Sequence, residues 1–210
     1  MGKSPKSEKT RRDILQAAAT LFNTKGYAGT SMADITAACG LSKGAVYANF
    51  TSKEELALAA FRQAVECVRG HMRQHTRPAG TLPDKLRALV RAYSGYADQP
   101  PVPGGCPIQN MAIEADDAYP VLLEEVRQAM NAWEDRMAWA LEAACERGDI
   151  RTGLDHRRFA RTFITLLQGG ILMARLQGEA AYFQPAAEQL YQLIQDLEPH
   201  AENQDHTRTA

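Results

Sequence analysis

The chain has 210 residues, 45% of them hydrophobic and 23% charged, proportions that build a buried core and exclude a disordered or fibrous polymer. Its formal net charge is -1, from 24 Lys and Arg against 25 Asp and Glu, so the total alone points to neither nucleic acid nor an anionic membrane. The polar start Met1-Gly2-Lys3-Ser4-Pro5-Lys6 lacks the apolar core of a signal peptide. The longest mostly apolar, uncharged run, residues 162–174, is shorter than the roughly 20 residues a bilayer requires. A cytoplasmic protein with no membrane partner is therefore expected. The cysteines at 39, 67, 106 and 145 contain no Cys-x-x-Cys pair, which removes the zinc ribbon and the thioredoxin-like motif and leaves free thiols.

In chain order, Ile14, Leu15, Ala18, Leu21 and Phe22 share one helical face between Lys9 and Lys25, and Gly26 supplies a left-handed stop. Thr30 or Ser31 caps a second helix of about two turns, which carries Met32 and Ile35 inward and ends near Ala38, before Cys39-Gly40-Leu41. Ser42 caps a third, with Val46 and Phe50 four apart, and Ser52 opens a fourth through Leu56, Ala60, Val65 and Val68. Short helix, Gly turn and short helix make the outline of a helix-turn-helix. Two prolines and a glycine between Arg77 and Pro83 then mark a joint.

Beyond the joint the pattern stays helical. Leu86, Leu89, Val90 and Tyr93 form one stripe; Val121 to Cys145 is a long amphipathic stretch; residues 146–153 read as a turn. Asp155 caps a helix with Phe159, Phe163, Leu166, Leu167, Gly170 and Met173, and Pro185 sits in the first turn of a last helix with Leu190, Leu193, Ile194 and Leu197. The fold class expected is all-α, with a helix-turn-helix domain over residues 8–68, a helical domain over 69–200 and a polar tail over 201–210.

Charge divides along the same line. Residues 1–53 hold eight Lys or Arg against three Asp or Glu, a surplus of +5, which leaves -6 on the rest. A basic helix-turn-helix on an acidic body makes duplex DNA the partner of the first part only. With Val46 and Phe50 inward, Lys43, Gly44, Ala45, Tyr47, Ala48 and Asn49 lie outward or at the edge. Gly44 and Ala45 are small enough for close approach to base edges, the Ala45 methyl suits a thymine methyl, and Asn49 suits adenine. Ser42, Tyr47 and Lys53 complete this face, while Thr30 and Ser31 bring hydroxyls and free N–H groups to a helix N-terminus, where a phosphate oxygen fits.

These residues, from about Arg11 to Leu58, resemble the N-terminal domain of the TetR/AcrR family of bacterial transcriptional regulators. The likeness is carried by Phe22, Lys25-Gly26-Tyr27, Thr30, Asp34-Ile35, Gly40-Leu41-Ser42-Lys43-Gly44, Val46-Tyr47, Phe50 and Ser52-Lys53-Glu54-Glu55-Leu56. Carried over by resemblance, phosphate contacts fall on Thr30, Ser31, Tyr47 and Lys53, and the base-reading helix on Ser42 to Asn49. Ala48 and Asn49 depart from the aromatic or His residues frequent there, so the operator sequence does not carry over. The resemblance also implies a C-terminal helical domain that encloses a small-molecule effector and forms a homodimer through its last two long helices. Gly169-Gly170 suits close helix approach, although the same apolar faces can simply fill one monomer's core.

Pro103-Gly104-Gly105-Cys106-Pro107-Ile108 is the most informative segment of the second half. Pro107 fits the first turn of a helix reaching about Ala115, putting Cys106 near its N-cap, where the helix dipole is expected to favour a nucleophilic thiolate. A Gly-Cys element here resembles a subgroup that includes electrophile-sensing repressors; the plainer reading is a small residue at a pocket rim. Tyr93, Tyr96, Met111, Trp133, Met137 and Trp139 are candidates for an aromatic pocket, and Cys106, Tyr93, Met111, Trp133, Met137 and Phe163 are the expected effector residues.

Cys67, His71 and His75 share a helix face, but Cys67 and His75 stand about 12 Å apart along the axis, so a solvated face is expected and no metal. Glu114, Asp116 and Asp117 read as a solvated acidic helix end. No cofactor is expected. An enzyme using Cys106 lacks any His or acid tied to it by a motif. The leading expectation is a ligand- or electrophile-responsive repressor on a palindromic operator, against an effector-free architectural DNA binder.

Overall fold

Residues 5–199, described by a computed structural model, form helices joined by turns, with no strand among them. The first four helices are α1 (Pro5–Lys25), α2 (Met32–Cys39), α3 (Lys43–Tyr47) and α4 (Lys53–Thr76). Their caps are those the sequence offers. Ser31 and Asp34 make a capping box on α2, the Ser42 side chain accepts from Ala45 N–H, and the Ser52 side chain accepts from Glu55 N–H; each such cap is worth about 1 kcal/mol. Ile14, Ala18, Ile35, Val46, Phe50 and Leu56 meet in an interior that is at most 1% exposed. This apolar contact, rather than the propensity of a five-residue helix, holds α3 in place.

Helix α4 has 24 residues and is thus about 36 Å long. Its first half closes the small bundle against α1 and its second half packs on α5 (Leu82–Ser94). The expected boundary at 68/69 therefore falls inside a continuous helix, while the break at Arg77–Pro83 lies between α4 and α5, with Thr81 capping α5. The body continues with α6 (Pro107–Ala115), α7 (Pro120–Glu146), α8 (His156–Gln177), a 3-10 turn (Ala180–Phe183) and α9 (Gln184–Gln195). Asp155 caps α8 through Arg158 N–H, and proline occupies the first turn of α5, α6, α7 and α9.

The apolar faces of the last two helices fill the chain's own core. Phe163, Leu167, Leu190, Ile194 and Leu197 are buried within the one chain. A Cβ at Gly170 would stand 2.7 Å from the Ala186 Cβ and 2.8 Å from a Phe183 ring carbon, so Gly170 serves the approach of α8 to its own following turn and helix. The apolar side chains left exposed on α8 are Leu172, Met173 and Leu176. The expected tail over 201–210 lies outside the described residues.

Candidate DNA interface and effector cavity

On α3, Lys43, Gly44, Tyr47 and the following Ala48 are exposed, Ala45 and Asn49 half-buried and Val46 buried. The outward set is the one the spacing predicts, because Val46 and Phe50 turn in. The polar side chains are partly engaged within the chain. The Asn49 side chain donates to Ala45 O at 2.9 Å, and Arg11 donates to Asn49 O at 3.0 Å with its guanidinium 4.1 Å above the Phe50 ring. Arg11 is a basic residue on this surface that the sequence pattern does not single out. Lys43 reaches over Tyr47 at 5.7 Å and half-buried Lys53 over Tyr27 at 4.2 Å, so both ammonium groups are held against aromatic faces.

Thr30 is placed differently from expectation. It is fully buried, and its hydroxyl donates to Gly26 O at 2.8 Å and Leu21 O at 3.3 Å. The last carbonyls of α1 need donors, and the buried hydroxyl supplies one; it is not presented to a phosphate. Ser31 is exposed beside it, its hydroxyl donating to Asp34 Oδ2 at 2.5 Å while accepting from Asp34 N–H at 3.1 Å.

In the body, a cavity of about 400 Å³ opens between α4, α5, α6 and α7, within the size range of small-molecule sites. Tyr93, Cys106, Trp133 and Met137 line it, as expected, with Tyr93 and Trp133 stacked at 6.5 Å between centroids. Met111 and Phe163 do not. Met111 faces a separate recess of about 20 Å³ beside α1, and Phe163 is buried against Phe159 at 6.0 Å. Trp139 is 70% exposed: six residues past Trp133, it is rotated by about 240° around α7. Tyr96 is buried, with a hydroxyl that has no partner among the described residues. Arg69, Arg73 and Arg136 also line the cavity. The apolar stripe alone does not single them out, although Val65, Val68, Arg69, Met72, Arg73 and Thr76 follow one face of α4.

Cys106 caps α6 by position but not by chemistry. It is buried and makes no side-chain cap, its Sγ standing 3.6 Å from Gln168 Oε1. Burial pushes the thiol above its ordinary value, and the N–H groups of Gln109 and Ile108 offset this only in part. The expected dipole-stabilised thiolate is thus overturned: desolvation outweighs the helix end. The preceding glycines have a packing reason, since a Cβ at Gly104 (φ +95°) would lie 2.3 Å from Asn23 O.

Helix α6 also grips the small bundle. The Glu114 carboxylate accepts from Tyr27 N–H at 2.6 Å and Ala28 N–H at 2.7 Å, just past the end of α1. Asn110 donates to Asn23 O, Asn23 Oδ1 and Gly104 O, while Asn23 donates back to Pro103 O and Gly105 O. Glu114 is therefore an interdomain acceptor rather than a solvated acid. His71 and His75 stand with Nε2 atoms 3.2 Å apart and Cys67 points at Pro101 O; among the described residues no three metal-ligating side chains converge. No helix among them is long and apolar enough to cross a membrane.

Comparison with known proteins agrees with this architecture. Residues 14–60 match the model of bacterial regulatory proteins of the tetR family, and residues 83–190 match the tetracyclin repressor-like C-terminal domain. A TetR transcriptional regulator from Chloroflexus aurantiacus J-10-FL is 38% identical, with a TM-score of 0.85 over 92% of this chain and 98% of its own. A TetR-family regulator from Cytophaga hutchinsonii is 31% identical, with a TM-score of 0.83 over 94% and 98%. The transcriptional repressor DhaR of Mycobacterium sp. (strain GP1) is 23% identical over 92% of this chain and 94% of its own. With both halves matched, and a solved regulator similar along nearly the whole length, the chain belongs to the TetR family of transcriptional regulators.

Proposed function

We propose that the protein is a homodimeric repressor whose hold on a palindromic operator is released by a small, largely apolar effector bound in the cavity. The carrying observation is the double use of α6. Its first turn, with Cys106, Pro107 and Ile108, forms cavity wall, and its last turn, through Glu114, holds the N–H groups of Tyr27 and Ala28. A ligand that displaces the first turn thereby shifts the small bundle, which is the differential contact that a population shift requires.

In this reading Lys43, Gly44, Ala45 and Asn49 face bases, and Ser31, Tyr47 and Lys53 face phosphates, with Ser42 capping the reading helix. Two copies joined through the exposed Leu172, Met173 and Leu176 side of α8 place two such faces on successive major grooves, about 34–36 Å apart. Cys106 is a wall residue in this scheme and the effector binds non-covalently, because burial disfavours the thiolate. The test is the anisotropy of a labelled operator titrated with protein, with and without saturating cavity ligand. A rise in operator Kd is expected; a ligand shown calorimetrically to fill the cavity while leaving that Kd unchanged would overturn the scheme.

A further inference from the structure

The polar content of the cavity wall is lopsided. No Asp or Glu lines it, whereas Arg69 and Arg73 from α4 and Arg136 from α7 all do. Several other arginines are neutralised: Arg62 pairs with Glu125, Arg87 with Asp84 and Glu198, Arg157 with Glu134 and Asp135, and Arg161 with Glu134. At the cavity only Arg69 has an ion pair, with Glu66 one turn back on its own helix; Arg73 and Arg136 have none among the described residues. Burial and the facing charges of Arg69 and Arg73 hold the Arg136 guanidinium below its ordinary value, with Glu66 acting against them. This mutual repulsion is what a bound anion relieves. Among the uncharged polar groups of the wall, Gln168 accepts from Gln109 and Cys106, and the Thr76 hydroxyl donates to Arg73 O.

We propose that the cavity takes an amphipathic anion, an apolar body with one negatively charged head, the body lying against Tyr93 and Trp133 and the head held by Arg69, Arg73 and Arg136. The inference rests on the effector role proposed above and names the class of molecule that fills it. Guanidinium groups suit a planar carboxylate through paired N–H donors, and the stacked aromatic wall suits either a flat ring or an alkyl chain.

Isothermal calorimetry on the full chain tests it with two matched pairs, decanoate with decanol and naphthoate with naphthylmethanol. Each acid that enters is expected to bind at least about tenfold more tightly than its alcohol, with the advantage shrinking as salt rises. The double variant Arg73→Gln/Arg136→Gln is expected to abolish that advantage, and Arg136→Lys to retain part of it. Which pair binds distinguishes an aliphatic from an aromatic body. Alcohols binding as tightly as acids, or an acid preference that survives the double variant, overturns the anion inference while leaving the effector cavity standing. Failure of all four to bind removes the effector reading as well.

Discussion

Replacing Glu114 probes the link between the two parts of the molecule. Its carboxylate accepts two backbone N–H groups at 2.6 and 2.7 Å, the Tyr27 contact half-buried and the Ala28 contact exposed. A hydrogen bond to a charged group contributes about 1.5–3 kcal/mol when the stranded donor stays buried, and far less when water replaces the partner. Glu114→Ala should therefore cost about 2 kcal/mol, nearly all from Tyr27, and Glu114→Gln about half of that, since one acceptor oxygen remains. Gly26 sharpens the test. It has φ +79°, and a Cβ there would stand 2.9 Å from both Glu114 oxygens. Gly26→Ala thus carries a backbone cost of about 1–2 kcal/mol plus displacement of the carboxylate. In the Glu114→Ala background only the backbone cost remains, so the two changes should be less than additive by about 1 kcal/mol. Urea unfolding of the parent and the four variants, followed by circular dichroism, reads these differences. Strict additivity, or a Glu114→Ala loss below about 0.5 kcal/mol, would refute the clasp.

Thr30→Val should lower stability by about 1–2 kcal/mol, because the carbonyls of Leu21 in α1 and of Gly26 just past its end lose a buried donor; a variant as stable as the parent in urea would contradict the internal role. Lys53→Ala should weaken binding to operator and random duplex alike and reduce the log-log salt slope by about 0.9 per copy, whereas Tyr47→Phe should leave the slope unchanged; filter binding across salt concentrations separates them. Maleimide at neutral pH should label exposed Cys67 well before Cys106, whose buried thiol is pushed upward, and peptide mass mapping with time would expose the reverse order. Tyr93 and Tyr96 are both raised far above an ordinary tyrosine, chiefly by burial. Their neutral forms stabilise the fold fully below about pH 10, and that stability is lost as pH rises beyond it. Tyrosinate absorbance should therefore show a final step coincident with loss of helical signal; complete ionisation of all tyrosines in a folded chain would contradict it.

What the sequence made legible was local. Ser31, Ser42, Ser52 and Asp155 announce helix starts through an oxygen within reach of the N–H three residues on, and Pro107 marks the start of α6. Val46 and Phe50, four apart and both apolar, fix which face of α3 turns inward. Features that depend on distant residues were not legible in this way. A threonine beside a helix start suits a phosphate or an internal cap equally well, and only the packing of α1 over Thr30 decides. A helix start favours a thiolate at Cys106, but the burial that outweighs it depends on residues distant in sequence, such as Gln168 of α8, which local spacing does not show. The Glu114 clasp spans 87 residues to Tyr27, and Arg136 joins Arg69 and Arg73 from a different helix, so neither the clasp nor the meeting of the three arginines follows from local spacing.

Selection of bound duplex from a random DNA pool with the full chain is the most direct test of DNA reading by residues 42–49 in a two-fold dimer. The recovered sequences should share an inverted repeat whose half-site centres lie about 10–10.5 base pairs, or a multiple of that, apart. Recovery of duplexes with no common sequence, or of a single unrepeated half-site, would contradict it.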